Sequence, residues 1–166
     1  MPLNLPQQLF LDQARSDYEI FRFLSRRNEC HRLHYLQMCT EKLAKVHFWR
    51  NDEFPGFRHD KFDPFLRDLE AERAADIHLM FGYKDPRRFD LQRTAIKELA
   101  KRIQDLAPAG GNDGPNSEYP WPPRRPCQSP LVDLLPEWQA WNDSVAGYRL
   151  KTFIENLLGD YLAYFP

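Results

Sequence analysis

The sequence predicts an all-α protein, an up-and-down bundle of about five helices with a long Pro-rich loop before the last helix. Three observations lead there. In five segments apolar residues recur every three or four positions, the spacing that lines one face of a helix. Between them stand Pro55-Gly56, Asp63-Pro64 and Asp85-Pro86, pairs that end one helix or begin another. No stretch carries a convincing strand pattern, and no fixed-period repeat suggests a solenoid.

The first helix, 6–27, sets Leu9, Phe10, Ala14, Phe21 and Leu24 on its buried side and Arg15, Glu19, Arg22 and Arg26 on the other, with Pro6 tolerated in its first turn. The second, 29–50, takes Asn28 as cap and buries Leu33, Leu36, Met38, Leu43, Ala44 and Val46. A loop over 51–62 follows. The third helix, 63–81, opens with Asp63 as cap, buries Phe65, Leu66, Leu69, Ala74, Ile77 and Met80, and ends near Gly82. The fourth, 86–106, opens with Asp85 and Pro86 and buries Phe89, Ala95, Ile96, Leu99, Ile103 and Leu106. Residues 108–146 form a Pro/Gly-rich irregular excursion within the domain, since eight prolines and three glycines between 108 and 136 preclude a regular helix there. Tyr119, Trp121, Trp138 and Trp141 anchor it to the bundle, and LLPEWQAWN adds one short helical turn. The last helix, 146–163, presents Tyr148, Leu150, Phe153, Ile154, Leu157, Leu158, Tyr161 and Leu162.

At 166 residues and 19.8 kDa the chain is long enough for one domain with a real core, spanning 1–166. A formal charge of -1 excludes a protein that attracts nucleic acid through its overall charge, so any polyanion site is a local patch. Cys30, Cys39 and Cys127 are odd in number and lack a CxxC spacing, which argues against a disulfide framework or a zinc knuckle and fits a reducing, cytoplasmic setting. No leader or membrane-spanning run is expected.

The segment ARSDYEIFRFLSRRNECHRLHYLQMCTEKLAKVHF, residues 14–48, resembles the opening helical hairpin of the HEPN superfamily. The second helix of that superfamily typically carries a His or aromatic, then Gln, then a Glu-Lys pair with a Lys one turn on; His34, Gln37, Glu41, Lys42 and Lys45 match. The resemblance implies a helical bundle that homodimerises or docks a protein partner such as a nucleotidyltransferase or antitoxin. Toxin–antitoxin modules and antiviral defence are its settings. It also implies that the chain is either a ribonuclease or a non-catalytic interaction domain.

Catalytic members of that superfamily carry an Arg and a His with four to six residues between them. Metal-independent RNA cleavage needs a cation to clamp the phosphate and an imidazole to move the 2′-hydroxyl or leaving-group proton. Arg26 with His31, and Arg27 with His34, meet the spacing and are the candidate catalytic residues. The last helix, where the pair is expected, has Arg149 and no histidine. Arg22 and Arg32 extend this basic patch toward a phosphate, and Arg93, Lys97 and Lys101, one turn apart, could track a nucleic-acid backbone, with Arg87 and Arg88 at the start of the same helix. Eight acids within 51–76 make an opposing face for these cations or a dimer mate.

Glu41 and Lys45 read as a supportive i,i+4 pair, and Cys30 with His34 is only half of a metal site, so neither metal nor cofactor is expected. Phosphate-loop, dinucleotide, zincin and GxSxG patterns are missing. Pro120, Pro123 and Arg125 satisfy PxxPxR but read as part of the surface loop that Trp121 anchors. Three readings stand: an interaction module, an endoribonuclease using the Arg/His pairs, and a nucleotide-binding regulatory bundle using the Arg22 to His34 patch.

Overall fold

The computed structural model describes residues 2–24, 29–49, 56, 59–107 and 135–165. Among them are eight helices and no strand: α1 (Leu5–Phe23), α2 (Glu29–Phe48), α3 (Phe62–Glu72), α4 (Ile77–Met80), α5 (Pro86–Gln104), α6 (Leu135–Asn142), α7 (Val145–Gly159) and α8 (Tyr161–Tyr164). The all-α class holds. The helix count is higher than the five expected because two long helices break and a third forms inside the region read as irregular. Asn28 and residues 108–134, with Tyr119, Trp121, Cys127 and the PxxPxR motif, lie outside the described residues.

Each start follows from local chemistry. Asn4 caps α1 in a reciprocal capping box with Gln7, its side chain accepting from Gln7 N at 2.9 Å and its N–H donating to Gln7 Oε1 at 3.0 Å. Asp85 caps α5 through Arg87 N, with Pro86 just inside. Asp63 does not cap α3: Lys61 occupies that position, and Asp63 N donates to Gln104 Oε1 at 2.9 Å, so a bond to α5 replaces the expected cap.

The third expected helix stops at Glu72 because the Arg73 guanidinium reaches the Asp76 carboxylate and the Tyr164 carbonyl; that long-range anchorage displaces the helical ladder for a turn before α4. The last breaks at Asp160, whose side chain caps α8 by accepting from Ala163 N at 3.0 Å. α6 forms because Pro136 falls in its first turn while Trp138 and Trp141 are buried edge to face, 5.2 Å apart. Ser144 then turns the chain into α7, donating to Trp141 O and accepting from Gly147 N; a Cβ at Gly147 would strike the Trp141 carbonyl.

α1 and α2 form an antiparallel hairpin. Asn4 Nδ2 reaches Trp49 O at 3.4 Å and Gln7 Nε2 reaches Val46 O at 3.0 Å at one end, and Arg32 Nε reaches Phe21 O at 3.3 Å at the other. α2 is the central helix, packed against α1, α3, α5 and α6 and buried over most of its circumference, with His31, His34, Tyr35, Met38 and Lys42 on its one partly open face. α7 completes the core against α1, α4, α5, α6 and α8, and Phe153 stacks on Phe81 with centroids 4.4 Å apart.

The buried stripes differ from expectation at particular positions. Leu9, Ala74, Ala95, Tyr148 and Leu162 are exposed, Phe10, Leu24 and Met38 are half-buried, and Leu11 and Tyr18 enter the core. Three successive apolar residues, Leu9 to Leu11, leave the phase of α1 open to a shift of one or two positions, and packing on α2 sets it. Phe153→Ala is expected to cost about 3–5 kcal/mol in chemical denaturation, while Tyr148→Ala, on the exposed side of α7, stays within about 0.5 kcal/mol.

Candidate functional site

Among the described residues, several of the cations expected to bind RNA have partners within the protein. Arg26 and Arg27 lie outside the described residues. His31 is exposed on the first turn of α2; His34 is half-buried, its ring edge-on to Tyr35 at 5.3 Å. Arg22 is exposed on α1. Arg32 is a strut between the two helices: Nη1 donates to Glu29 at 2.9 Å, Nε to Phe21 O, and its guanidinium lies 4.8 Å from the centre of the Phe21 ring.

The cations of α5 also have intramolecular partners. Arg93 grips Glu70 with two nitrogens at 2.9 and 3.0 Å, Lys97 adds a third contact to Glu70 at 2.9 Å, and Lys101 pairs with Asp105 at 3.1 Å. The acids expected to face these cations are thus partly realised as an α3 to α5 clamp. Burial alone would push the Glu70 carboxyl up, but hydrogen bonds from Arg93 and Lys97, with their charges, outweigh it and hold it below its ordinary value of 4.5.

The polar residues of the family-like motif form a seam along α2. Lys42 pairs with Asp17 of α1, and Lys45 pairs with Glu41. Gln37 Nε2 donates to Glu41 Oε2 at 3.3 Å, His59 Nδ1 meets the same oxygen, and Thr40 Oγ1 donates to Gln37 O at 2.9 Å. Asp17, Gln37, Glu41 and Lys45 are all buried. Such charges keep their place only while paired, because one left alone in the interior has no water to replace its partner. Asp17 was missed in sequence; its signal is an acid between Ala14 and Phe21, at helical spacing on an otherwise apolar face.

This seam holds helices together, and the one exposed side chain in it, that of His59, is tied to Glu41. Cys39 lies within it, fully buried, and burial, with Asp17 next, pushes its thiol well above the ordinary range, the opposite of an activated nucleophile. Burial and then Glu155 raise the Tyr18 phenol, which donates to Glu155 Oε1 at 3.0 Å and ties α1 to α7. Among the described residues no three metal-ligating side chains converge, and no helix is long and apolar enough to cross a membrane. No protein-family model, curated protein or solved structure matches the chain. Its function is read from its own geometry.

Lys42→Met, which strands the Asp17 carboxylate, is expected to lower stability by about 3–5 kcal/mol, and the double variant Asp17→Leu, Lys42→Met to recover most of that loss in urea unfolding. Glu70 gives a pH signature. Its lowered pKa makes a contribution to stability that is complete above the unfolded value and disappears as pH falls through the folded one, so Glu70→Gln should lower the unfolding midpoint at about pH 7 by an amount that shrinks progressively as pH falls below 4.5.

Proposed function

We propose that this chain is a HEPN-like helical interaction module of a toxin–antitoxin, antiviral-defence or nucleotidyltransferase-associated system, pairing with a second copy or a protein partner through helix faces. The observation that carries the reading is the intramolecular pairing of Arg32, Arg93, Lys97 and Lys101, four of the cations a nucleic-acid surface would need free. Of the polar residues that carry the resemblance, Lys42 ties α2 to Asp17 of α1, and Glu41 and Lys45 pair with each other within α2. The outer face of α1 supports a docking role. Leu5, Leu9 and Phe23 share that face and are 70%, 60% and 89% exposed, while Asp12 and Glu19 between them supply solubility and orientation.

The endoribonuclease reading keeps one favourable observation: His31 is solvent-exposed beside the segment holding Arg26 and Arg27, where an imidazole could reach a phosphodiester. Two measurements separate the readings. Sedimentation equilibrium of the purified chain should give a dimer, or a monomer that dimerises at micromolar concentration, and Leu9→Glu with Phe23→Glu should shift it to monomer with helical circular dichroism unchanged. Mixed-sequence RNA in EDTA should remain intact. Cleavage that disappears in a folded Arg26→Ala, Arg27→Ala, His31→Ala, His34→Ala variant would replace the interaction module with the enzyme.

A further inference from the structure

A second group of cations, at the opposite end of α5 from Lys101, has no acidic side chain bound to it among the described residues. Lys84, Arg88 and Arg149 line a cleft of about 380 Å³ together with Gly82, Tyr83 and Asp85, where the turn after α4 enters α5 and meets the first turns of α7. None of the three forms an ion pair with a described residue, in contrast to Arg93 and Lys97 further along the same helix.

The cleft is built. Gly82 has φ +72°, a left-handed conformation that favours glycine, and a Cβ there would come within 3.0 Å of Thr152 Cγ2 and 3.1 Å of Arg149 Nη1. That conformation presents the Gly82 carbonyl to Arg149, whose Nη1 donates to it at 2.7 Å. The Arg149 guanidinium lies 4.2 Å from the Tyr83 ring centre and 5.4 Å from that of Tyr148, so its orientation is set before any ligand arrives. Its Nε is buried with no acceptor.

Tyr83 is 6% exposed and its hydroxyl also lacks a partner. A buried hydroxyl without a hydrogen bond costs about 1–3 kcal/mol, a penalty that a ligand oxygen would relieve. Three cations with no acidic partner among the described residues share the cleft with one carboxylate, that of Asp85, which already accepts from Arg87 N, and two buried donors without acceptors belong to the residues of its wall. The positive end of the 19-residue α5 adds to the same field.

We propose that this cleft binds a small phosphomonoester, its dianionic phosphate held by Lys84, Arg88 and Arg149 with the Tyr83 hydroxyl donating. The net positive lining matches a dianion, and the volume accommodates a sugar- or nucleoside-sized body beside the phosphate. The site is distinct from the Arg22 to His34 patch and does not depend on the interaction-module reading.

Isothermal titration of the full chain with inorganic phosphate, a hexose 6-phosphate and a nucleoside 5′-monophosphate tests it, with the matching unphosphorylated sugar and nucleoside as controls. Phosphorylated compounds should bind and their controls should not, with affinity falling as salt rises. Inorganic phosphate binding as tightly as either ester would confine the site to the phosphate and refute the body-binding half. Lys84→Ala with Arg88→Ala, both on exposed residues, should weaken binding at least about tenfold. Tyr83→Phe should weaken binding several-fold while the ligand-free protein melts at the same temperature or higher, because it removes an unpartnered hydroxyl; a lower melting temperature would assign that hydroxyl a purely structural role. No heat and no thermal shift with any phosphate at millimolar concentration, equal binding by the double variant, or binding of oligoribonucleotides alone would each overturn the proposal.

Discussion

The bundle depends on one constraint: its central helix, α2, is buried over most of its circumference and is nevertheless charged. Glu29, Gln37, Glu41, Lys45 and His47 all lie below a tenth exposure. Each must find a partner inside the protein, and the neighbouring elements are arranged so that several do: Asp17 from α1 takes Lys42, His59 meets Glu41, and Gln7 from α1 takes the Val46 carbonyl. Sliding α1 along α2 by one turn would keep much of the apolar contact but would break the Asp17 to Lys42 pair and the Gln7 bond together. The seam therefore selects register more than it adds stability, which is what partly compensated buried pairs generally do best.

The same economy recurs where elements end. The last carbonyls of a helix have no intrahelical donor, and in this protein long polar side chains from distant elements reach them. Arg15 Nε donates to Leu158 O at 2.9 Å, Asn156 Nδ2 to Met80 O at 2.9 Å, and Arg73 to Tyr164 O. α7 is thereby fastened near its C-terminal end to both α1 and the α4 turn, so the aromatic core of Phe65, Phe81 and Phe153 is closed by polar contacts around it.

Helix class, the long helices and the start signals at Pro6 and Asp85 were legible because they rest on local chemistry: a cap, a proline at the first position, a period of 3.6. What was not legible depends on contacts distant in sequence. The break at Arg73 requires Tyr164, the lost cap at Asp63 requires Gln104, and the exposed face of α1 requires knowledge of how α2 packs. For the site, Gln37, Glu41, Lys42 and Lys45 stood out in the sequence, but charge spacing could not distinguish Arg93 or Arg32 as free ligands from the struts they are.

That distinction decides where function can reside on a chain whose net charge is close to zero. Counting cations along a helix weighs Arg88 and Arg93 alike, since both are exposed arginines on α5. Their surroundings separate them. Arg93 faces Glu70, which is drawn below its ordinary pKa by the contact, and the pair's field is largely cancelled a few ångströms away. Arg88 faces a cleft whose walls hold two further unpaired cations and two buried donors without acceptors, so its field adds to theirs. Tyr83 and Arg149 Nε, without acceptors among the described residues, stand beside those cations in the wall of one cleft, and that juxtaposition is what an anion from solution would complete.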